Sequence, residues 1–339
     1  MQKKKMTSKD IAKELGISRT VVSFVLNGKS NEMRISEELT KKVLDYVKKS
    51  NYQPNYMAQS LKTGKTFTIG LIVADIANPF FAKLAREIEQ EFSNLGYSVI
   101  YCSSDENEKT FNSQLENFKN RQVDGLILTP PINSTKILNS LFSQNIPFVV
   151  IDRFFENLNA NSVIINNHKA AYDATTRLIK YGRKKIALIN VNNELITMNQ
   201  RTQGYLDALT DYGLKVNHEF VKHLEYSNLM DEVNDAVVDV IRNSVDAMLF
   251  TTNKLGVTGV QAIWNMKKRI PEDIAVISFD DTDAYSVART PITAIEQPLK
   301  QMSREAVRIL MKMIDNKAIN MDPEQVVLDS SFIIRQSCP

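Results

Sequence analysis

From Thr66 to the end of the chain, short apolar runs recur with longer mixed stretches between them. The runs are "TIGLIVA", "YSVIYCS", "GLILT", "FVVID", "SVIIN", "KIALIN", "AMLFT", "IAVISF", "AIEQ" and "QVVLD". A continuously apolar run such as "TIGLIVA" suits a strand covered on both faces. Most runs are separated by segments long enough for a helix, including one that Asn78 can cap with Pro79 at its first position. Such alternation specifies parallel, doubly wound α/β sheets, and ten strands in about 270 residues require two of them. Ligands of open α/β sheets lie beyond the carboxyl ends of the strands. "DIANPFF", Asp152-Arg153, "TTNK" and "FDD" all stand at such ends.

The first 65 residues follow a different rule. Thr7 or Ser8 can cap a helix from about Ser8 to Leu15, with Ile11, Ala12 and Leu15 on one face. Gly16 suits the tight turn after it. Ser18 caps a second helix that buries Val22, Val25 and Leu26, presents Arg19, Thr20, Ser23, Phe24 and Asn27 outward, and ends at Asn27-Gly28. A third helix follows Ser36 to about Lys49, closing the small core with Leu39, Val43 and Val47. Two short helices, a glycine turn and a polar start to the second match a helix-turn-helix, whose second helix enters the DNA major groove. Charge points the same way. Residues 1–62 carry 13 Lys/Arg and 6 Asp/Glu, whereas the other 277 residues carry 29 and 33. A basic end on a mildly acidic body is the asymmetry expected when only that end meets a polyanion. Next comes "QPNYMAQSLKTGK", where Pro54 disfavours helix at Gln53 and Asn55 can cap a helix from Tyr56 to Lys62. At about seven residues it is too short to be stable alone in water.

Other classes find little support. No apolar run reaches the roughly 18 residues that span a bilayer, so no membrane association is expected. "MQKKKMTSKD" has no apolar stretch behind it and does not read as a secretory signal. Cys102 and Cys338 form neither a metal spacing nor a disulfide framework, which suits the cytoplasm. His168, His218 and His223 show no metal-ligand spacing. No dinucleotide fingerprint or Gly-x-Ser-x-Gly elbow occurs, and "TGKT" lacks the upstream glycine of a phosphate loop, with Gln59 in its place. Asp280-Asp281 reads as a loop with a ligand contact, not an acid/base pair. Neither catalytic residues nor a cofactor or metal are expected.

"DIAKELGISRTVVSFVLNG" resembles the opening of the LacI/GalR (lactose-repressor) family of bacterial transcription regulators, and "NYQPNYMAQSLKTGKTFTIGLIVADIANPFF" resembles its hinge and first core strand. The resemblance extends through most of the chain. It implies an all-α helix-turn-helix head over 1–53, a hinge helix and linker over 54–65, and a two-lobed periplasmic-binding-protein-like core over 66–339. The N-lobe would hold 66–165 and 297–322, the C-lobe 166–296 and 323–339, with crossings near Asn166, Gln297 and Asp322. The implied function is sequence-specific regulation of transcription, as a repressor of carbohydrate-utilisation genes. A homodimer would bind operator DNA, using "DIANPFF…REIEQEF" and "VTGVQAIWNM" at its interface. A sugar, sugar acid or sugar phosphate between the lobes would control it.

By the same resemblance, Arg19, Thr20 and Phe24 occupy the base-reading positions. The third often holds Arg. Phe24 cannot clamp a guanine there, but it can lie against a thymine methyl. Ser18, Ser23 and Asn27 complete that face. In the hinge, Asn55 opens the helix, Ala58 lets two copies approach closely, and Leu61 wedges into a base step. The implied effector residues are Asn78, Phe80, Phe81, Asp152, Arg153, Arg201, Asn253, Lys254 and Asp280. Carboxylates, Arg and Asn suit paired hydroxyls, and aromatic rings suit sugar faces. Many relatives carry an acid where Lys254 stands, so the cleft is expected to be more positive and open to acidic or phosphorylated sugars. Two other readings compete. A solute-binding protein would have no use for residues 1–62, and a sugar-acting enzyme would need a catalytic group.

Overall fold

The computed structural model describes residues 6–26, 28–50, 64–155, 158, 160–191, 195–225, 229–316 and 323–339. Its contacts divide the chain into two units, Met1–Thr66 and Phe67–Pro339.

In the first unit, α1 (Ser8–Leu15), α2 (Arg19–Leu26) and α3 (Glu37–Lys49) form where periodicity places them. Thr7 closes a reciprocal capping box with Asp10, and Gly16 ends α1 at φ 64°, a conformation costly for residues with a Cβ. Ser18 Oγ accepts from the Val21 N–H at 3.2 Å, and Ser36 Oγ accepts from the Leu39 N–H at 3.3 Å. Ile11, Ala12, Val22, Val25 and Val43 make the small buried core, with Leu26, Leu39 and Val47 partly buried around it. So few buried side chains must hold three short helices that are marginal by propensity.

The second unit begins with β1 (Thr68–Val73), α4 (Pro79–Asn94), β2 (Ser98–Ser103), α5 (Glu108–Asn120), β3 (Gly125–Leu128), α6 (Thr135–Ser143), β4 (Phe148–Ile151) and β5 (Ser162–Ile165). It continues through α7 (Asn167–Lys180), β6 (Ile186–Val191), α8 (Ile196–Asp211), β7 (Val221–Leu224), α9 (Leu229–Arg242), β8 (Ala247–Phe250), α10 (Asn253–Asn265) and β9 (Ala275–Phe279). It closes with α11 (Asp283–Ser286), β10 (Thr293–Glu296), α12 (Leu299–Asn316), β11 (Gln325–Leu328) and β12 (Ser331–Ile333). Two six-stranded sheets result, ordered β11-β5-β4-β3-β1-β2 and β12-β10-β9-β8-β6-β7. All pairings are parallel except that of β12 with β10. The central strands of each sheet are buried on both faces, while the edge strands β2, β11 and β7 are partly exposed. In β8, Ala247 and Leu249 enter one cluster while Met248 and Phe250 enter the other, as a period of two requires.

Two strands escape the apolar-run criterion. β7, "VKHL", is an edge strand with Lys and His in it, and β12 has only three residues. The chain passes between sheets three times. β5 ends in the first sheet at Ile165, and α7 packs on the second from Asn167. β10 ends in the second sheet at Glu296, and α12 packs on the first from Leu299. The third passage differs from expectation. β11 pairs with β5 in the first sheet and β12 with β10 in the second, so the passage lies at residues 329–330 and not near Asp322. Residues 325–328 therefore belong to the first lobe. "QVVLD" carries no mark of which sheet it joins, since an edge slot beside β5 is a tertiary property. Asp322 lies outside the described residues.

Candidate functional site

In the first unit, Ser18, Arg19 and Thr20 are exposed at the start of α2, while Ser23 and Phe24 are partly buried. Arg19 Nε donates to Ser8 Oγ at 3.3 Å, tying the first residue of α2 to the first of α1. Phe24 is not among the side chains packed on the Ile11–Val22–Val43 core as described. This face offers one guanidinium, hydroxyls, an aromatic edge and the N-terminal dipole of α2, which suits bases flanked by phosphate. Asn27, Asn55, Ala58 and Leu61 lie outside the described residues.

In the second unit, both lobes send polar side chains from strand ends and helix starts toward Arg201. Asn78 caps α4, its Oδ1 accepting from the Phe80 N–H at 3.0 Å. The Phe80 and Phe81 rings meet edge to face with centroids 4.9 Å apart, and both are buried in the core cluster that contains Phe279. Asp152 follows β4 at φ 69°, and Asp280 follows β9 at φ 63°. Each lobe thus places an aspartate in the left-handed region just past a strand. That backbone costs on the order of 1 kcal/mol or more and is kept where a side chain must be aimed.

Arg201 comes from α8 and is only 2% exposed. Its Nε donates to Asn167 Oδ1 at 2.8 Å, a terminal nitrogen donates to the Thr251 carbonyl, and the guanidinium stacks 4.0 Å above the Phe279 ring centroid. Burial pulls its pKa down, while Asp280 and Asp152 push it back up. Burial drives Asp152 up to about 6 against the pull of Arg153 and Arg201. Burial also raises Asp280, opposed by Arg201, by the Gln297 amide and by the Asn253 backbone N–H. Arg153 is buried and pairs with both oxygens of Glu106, and it also donates to the Pro130 carbonyl at 2.8 Å. Asn253, the first residue of α10, donates from Nδ2 to Asn78 Oδ1 at 2.8 Å, joining the two lobes. Lys83 of the first lobe and Asp283 of the second approach to 3.6 Å. Lys254 is exposed.

The structure brings Asp152, Arg153, Arg201, Asn253 and Asp280 into one electrostatic cluster, with Asn78 hydrogen-bonded to Asn253. Sequence reasoning missed Glu106 and Asn167, quoted Thr251 and Phe279 only within "TTNK" and "FDD", and named Gln297 only as a crossing point. Glu106 and Thr251 each follow a strand, so the strand-end rule contained a signal for them; Gln297 and Asn167 gave none before the fold was known. The arrangement can bind a polar ligand. Among the described residues no helix is long and apolar enough to cross a membrane.

Residues 7–55 match the model of bacterial regulatory proteins of the lacI family, and residues 66–335 match that of the periplasmic binding proteins and sugar binding domain of the LacI family. The chain is 35% identical over 338 residues to the HTH-type transcriptional regulator RegA of Clostridium acetobutylicum, covering 97% of this chain and 98% of RegA. It is 30% identical over 333 residues to the ribose operon repressor of Haemophilus influenzae, covering 98% of each. The lac repressor dimer bound to operator and the anti-inducer ONPF shares the fold at TM-score 0.84, with 22% identity over 99% of both chains. With a helix-turn-helix head and a two-lobed core matched in register, the chain belongs to the LacI family of bacterial regulatory proteins and is a DNA-binding transcription regulator, not an enzyme.

Proposed function

We propose that the protein represses carbohydrate-utilisation genes as a homodimer and that a sugar-like effector in the core cleft controls it. One observation carries this reading: polar side chains of both lobes meet around Arg201 while Asn253 and Asn78 bond across the cleft. A ligand held there touches both lobes at once and changes the free energy of their closure. Asn78, Phe80, Phe81, Asp152, Arg153, Arg201, Asn253, Lys254 and Asp280 form its surroundings. Ser18, Arg19, Thr20, Ser23, Phe24 and Asn27 face the operator's major groove. Asn55, Ala58 and Leu61 belong to a hinge segment too short to hold helix unaided, so a small change in its support makes or unmakes it. A coupling of roughly 1–3 kcal/mol gives about 5- to 150-fold regulation. The ribose operon repressor of H. influenzae among the relatives supports the carbohydrate assignment.

The test is selection of bound DNA from a random pool, with and without neutral, acidic and phosphorylated sugars. An inverted-repeat site whose recovery changes with one sugar supports the proposal; a recovered site indifferent to every sugar refutes effector control. In gel shifts, a chain lacking residues 1–62 should lose DNA binding. Leu61→Ser should weaken operator binding with sugar binding intact, and unchanged operator affinity would remove the wedge.

A further inference from the structure

A cavity of about 360 Å3 lies in the second lobe, between one flank of α7 and the edge strand β12. Asp173, Thr176, Arg177, Lys180 and Tyr181 line it from the helix, and Phe332 lines it from the strand. Its volume falls within the roughly 300–1,000 Å3 of small-molecule pockets. This is not the cleft. α7 meets Arg201 at its first residue, Asn167, and from there to Arg177 it rises about 15 Å at roughly 1.5 Å per residue.

Two cations here lack a counter-charge. Asp173 accepts from Lys169 at 2.9 Å, and Lys169 also stands 3.9 Å from Asp329. Arg177 and Lys180, by contrast, pair with no carboxylate among the described residues. Both stand in the last turn of α7, where the helix dipole supplies roughly half a negative charge, less than two full positive charges require. Arg177 Nε donates to the Cys338 carbonyl at 3.2 Å, which holds the guanidinium at the cavity wall.

A buried hydroxyl is unmet beside them. Thr175 bonds back to the Ala171 carbonyl at 2.8 Å, an outlet open to any threonine inside a helix. Thr176 does not take it, and its Oγ1 is buried without a hydrogen-bond partner. The remaining walls are aromatic. The Arg183 guanidinium lies 5.2 Å from the Tyr181 ring centroid and is itself tied to the Pro271 and Glu272 carbonyls, so the Tyr181 ring is backed by a fixed cation.

We infer that this cavity is a second ligand site, taking a small ring-bearing oxyanion. Its carboxylate or phosphate sits on Arg177 and Lys180, its ring lies against Tyr181 and Phe332, and Thr176 Oγ1 donates to one of its oxygens. A guanidinium fork matches the geometry of either head group. The site is separate from the effector cleft and independent of that reading.

Ligand-detected NMR titration of the full-length chain tests it with phenylacetate, phenyl phosphate, inorganic phosphate and phenethyl alcohol. At least one of the two aromatic anions should bind at least about tenfold more tightly than inorganic phosphate, which lacks the ring, and than phenethyl alcohol, which lacks the charge. Binding by only one of the pair supports the site and names its head group. Arg177→Met should weaken that binding at least about tenfold, and Lys180→Met about threefold. Thr176→Val should weaken it about threefold, for one neutral hydrogen bond, while raising the urea midpoint of the free chain by removing an orphaned hydroxyl. Lys180 is exposed, so its variant decides the matter even should Arg177→Met fold poorly. No preference for the aromatic anions, or an affinity undiminished in these variants, overturns the inference and leaves the cleft reading untouched.

Discussion

Asn253 Nδ2 donates to Asn78 Oδ1 at 2.8 Å, and each residue also stands at the start of a helix, one in either lobe. Asn78 therefore serves two bonds with one oxygen, its helix cap and the bridge between lobes. Asn78→Ala should lower core stability by about 1–2 kcal/mol through the lost cap and bridge. Asn78→Asp keeps an acceptor for both and should cost much less. Urea unfolding of the two variants checks this, and equal midpoints would contradict the shared role.

Asp152 titrates against the usual sense. Folding raises its carboxyl from 3.8 to about 6, so between those values the folded state holds a proton that the unfolded chain releases. Its contribution to stability therefore falls as pH rises from about 4 through about 6, and the penalty is complete above that range. Asp152→Asn should stabilise the core at pH 8 by roughly 1–3 kcal/mol, and the gain should vanish near pH 4. Thermal melts across pH decide it; a gain independent of pH would point to a different cause.

Gly204 lies where α8 crosses α7. A Cβ added there would stand 2.1 Å from the His168 carbonyl oxygen and 3.0 Å from the Tyr172 nitrogen. Both obstacles are backbone and cannot rotate away, so the helices must separate. Gly204→Ala should destabilise the core by about 3 kcal/mol or more, despite alanine's better helix propensity. An unchanged denaturation midpoint would mean that the two helices can move apart freely.

In the proposed operator complex, Phe24 sets the composition of one position of each half-site. It offers no hydrogen bond, so the selected DNA should carry no fixed guanine opposite it, and a thymine methyl should be preferred. Phe24→Ala should relax that preference by about 1 kcal/mol, with binding to other positions retained. An invariant guanine there, indifferent to Phe24→Ala, would remove Phe24 from base readout.

The parts of this molecule that were readable from sequence are those governed by local rules. Three head helices and ten strands announce themselves through caps, glycine stops and apolar runs, because each signal acts within a few residues. β7 and β12 do not, since an edge strand such as "VKHL" needs no apolar face and a three-residue strand has no period. The placement of β11 was unreadable for another reason: its slot beside β5 is chosen by a partner 163 residues away. The site divides likewise. Strand-end aspartates and helix-start asparagines could be named, whereas the pairing of Arg153 with Glu106 and of Asp280 with Gln297 exists only once remote segments meet.

The three passages between the lobes share a further property. Asn166 alone separates β5 from α7, Gln297 and Pro298 separate β10 from α12, and residues 329–330 separate β11 from β12. A residue of fully extended chain spans at most about 3.6 Å, so each tether reaches only on the order of 10 Å. Three such short straps side by side let the lobes pivot about a waist but forbid them to slide or draw apart. Whatever fills the cleft can therefore speak to the rest of the molecule only as a change of angle.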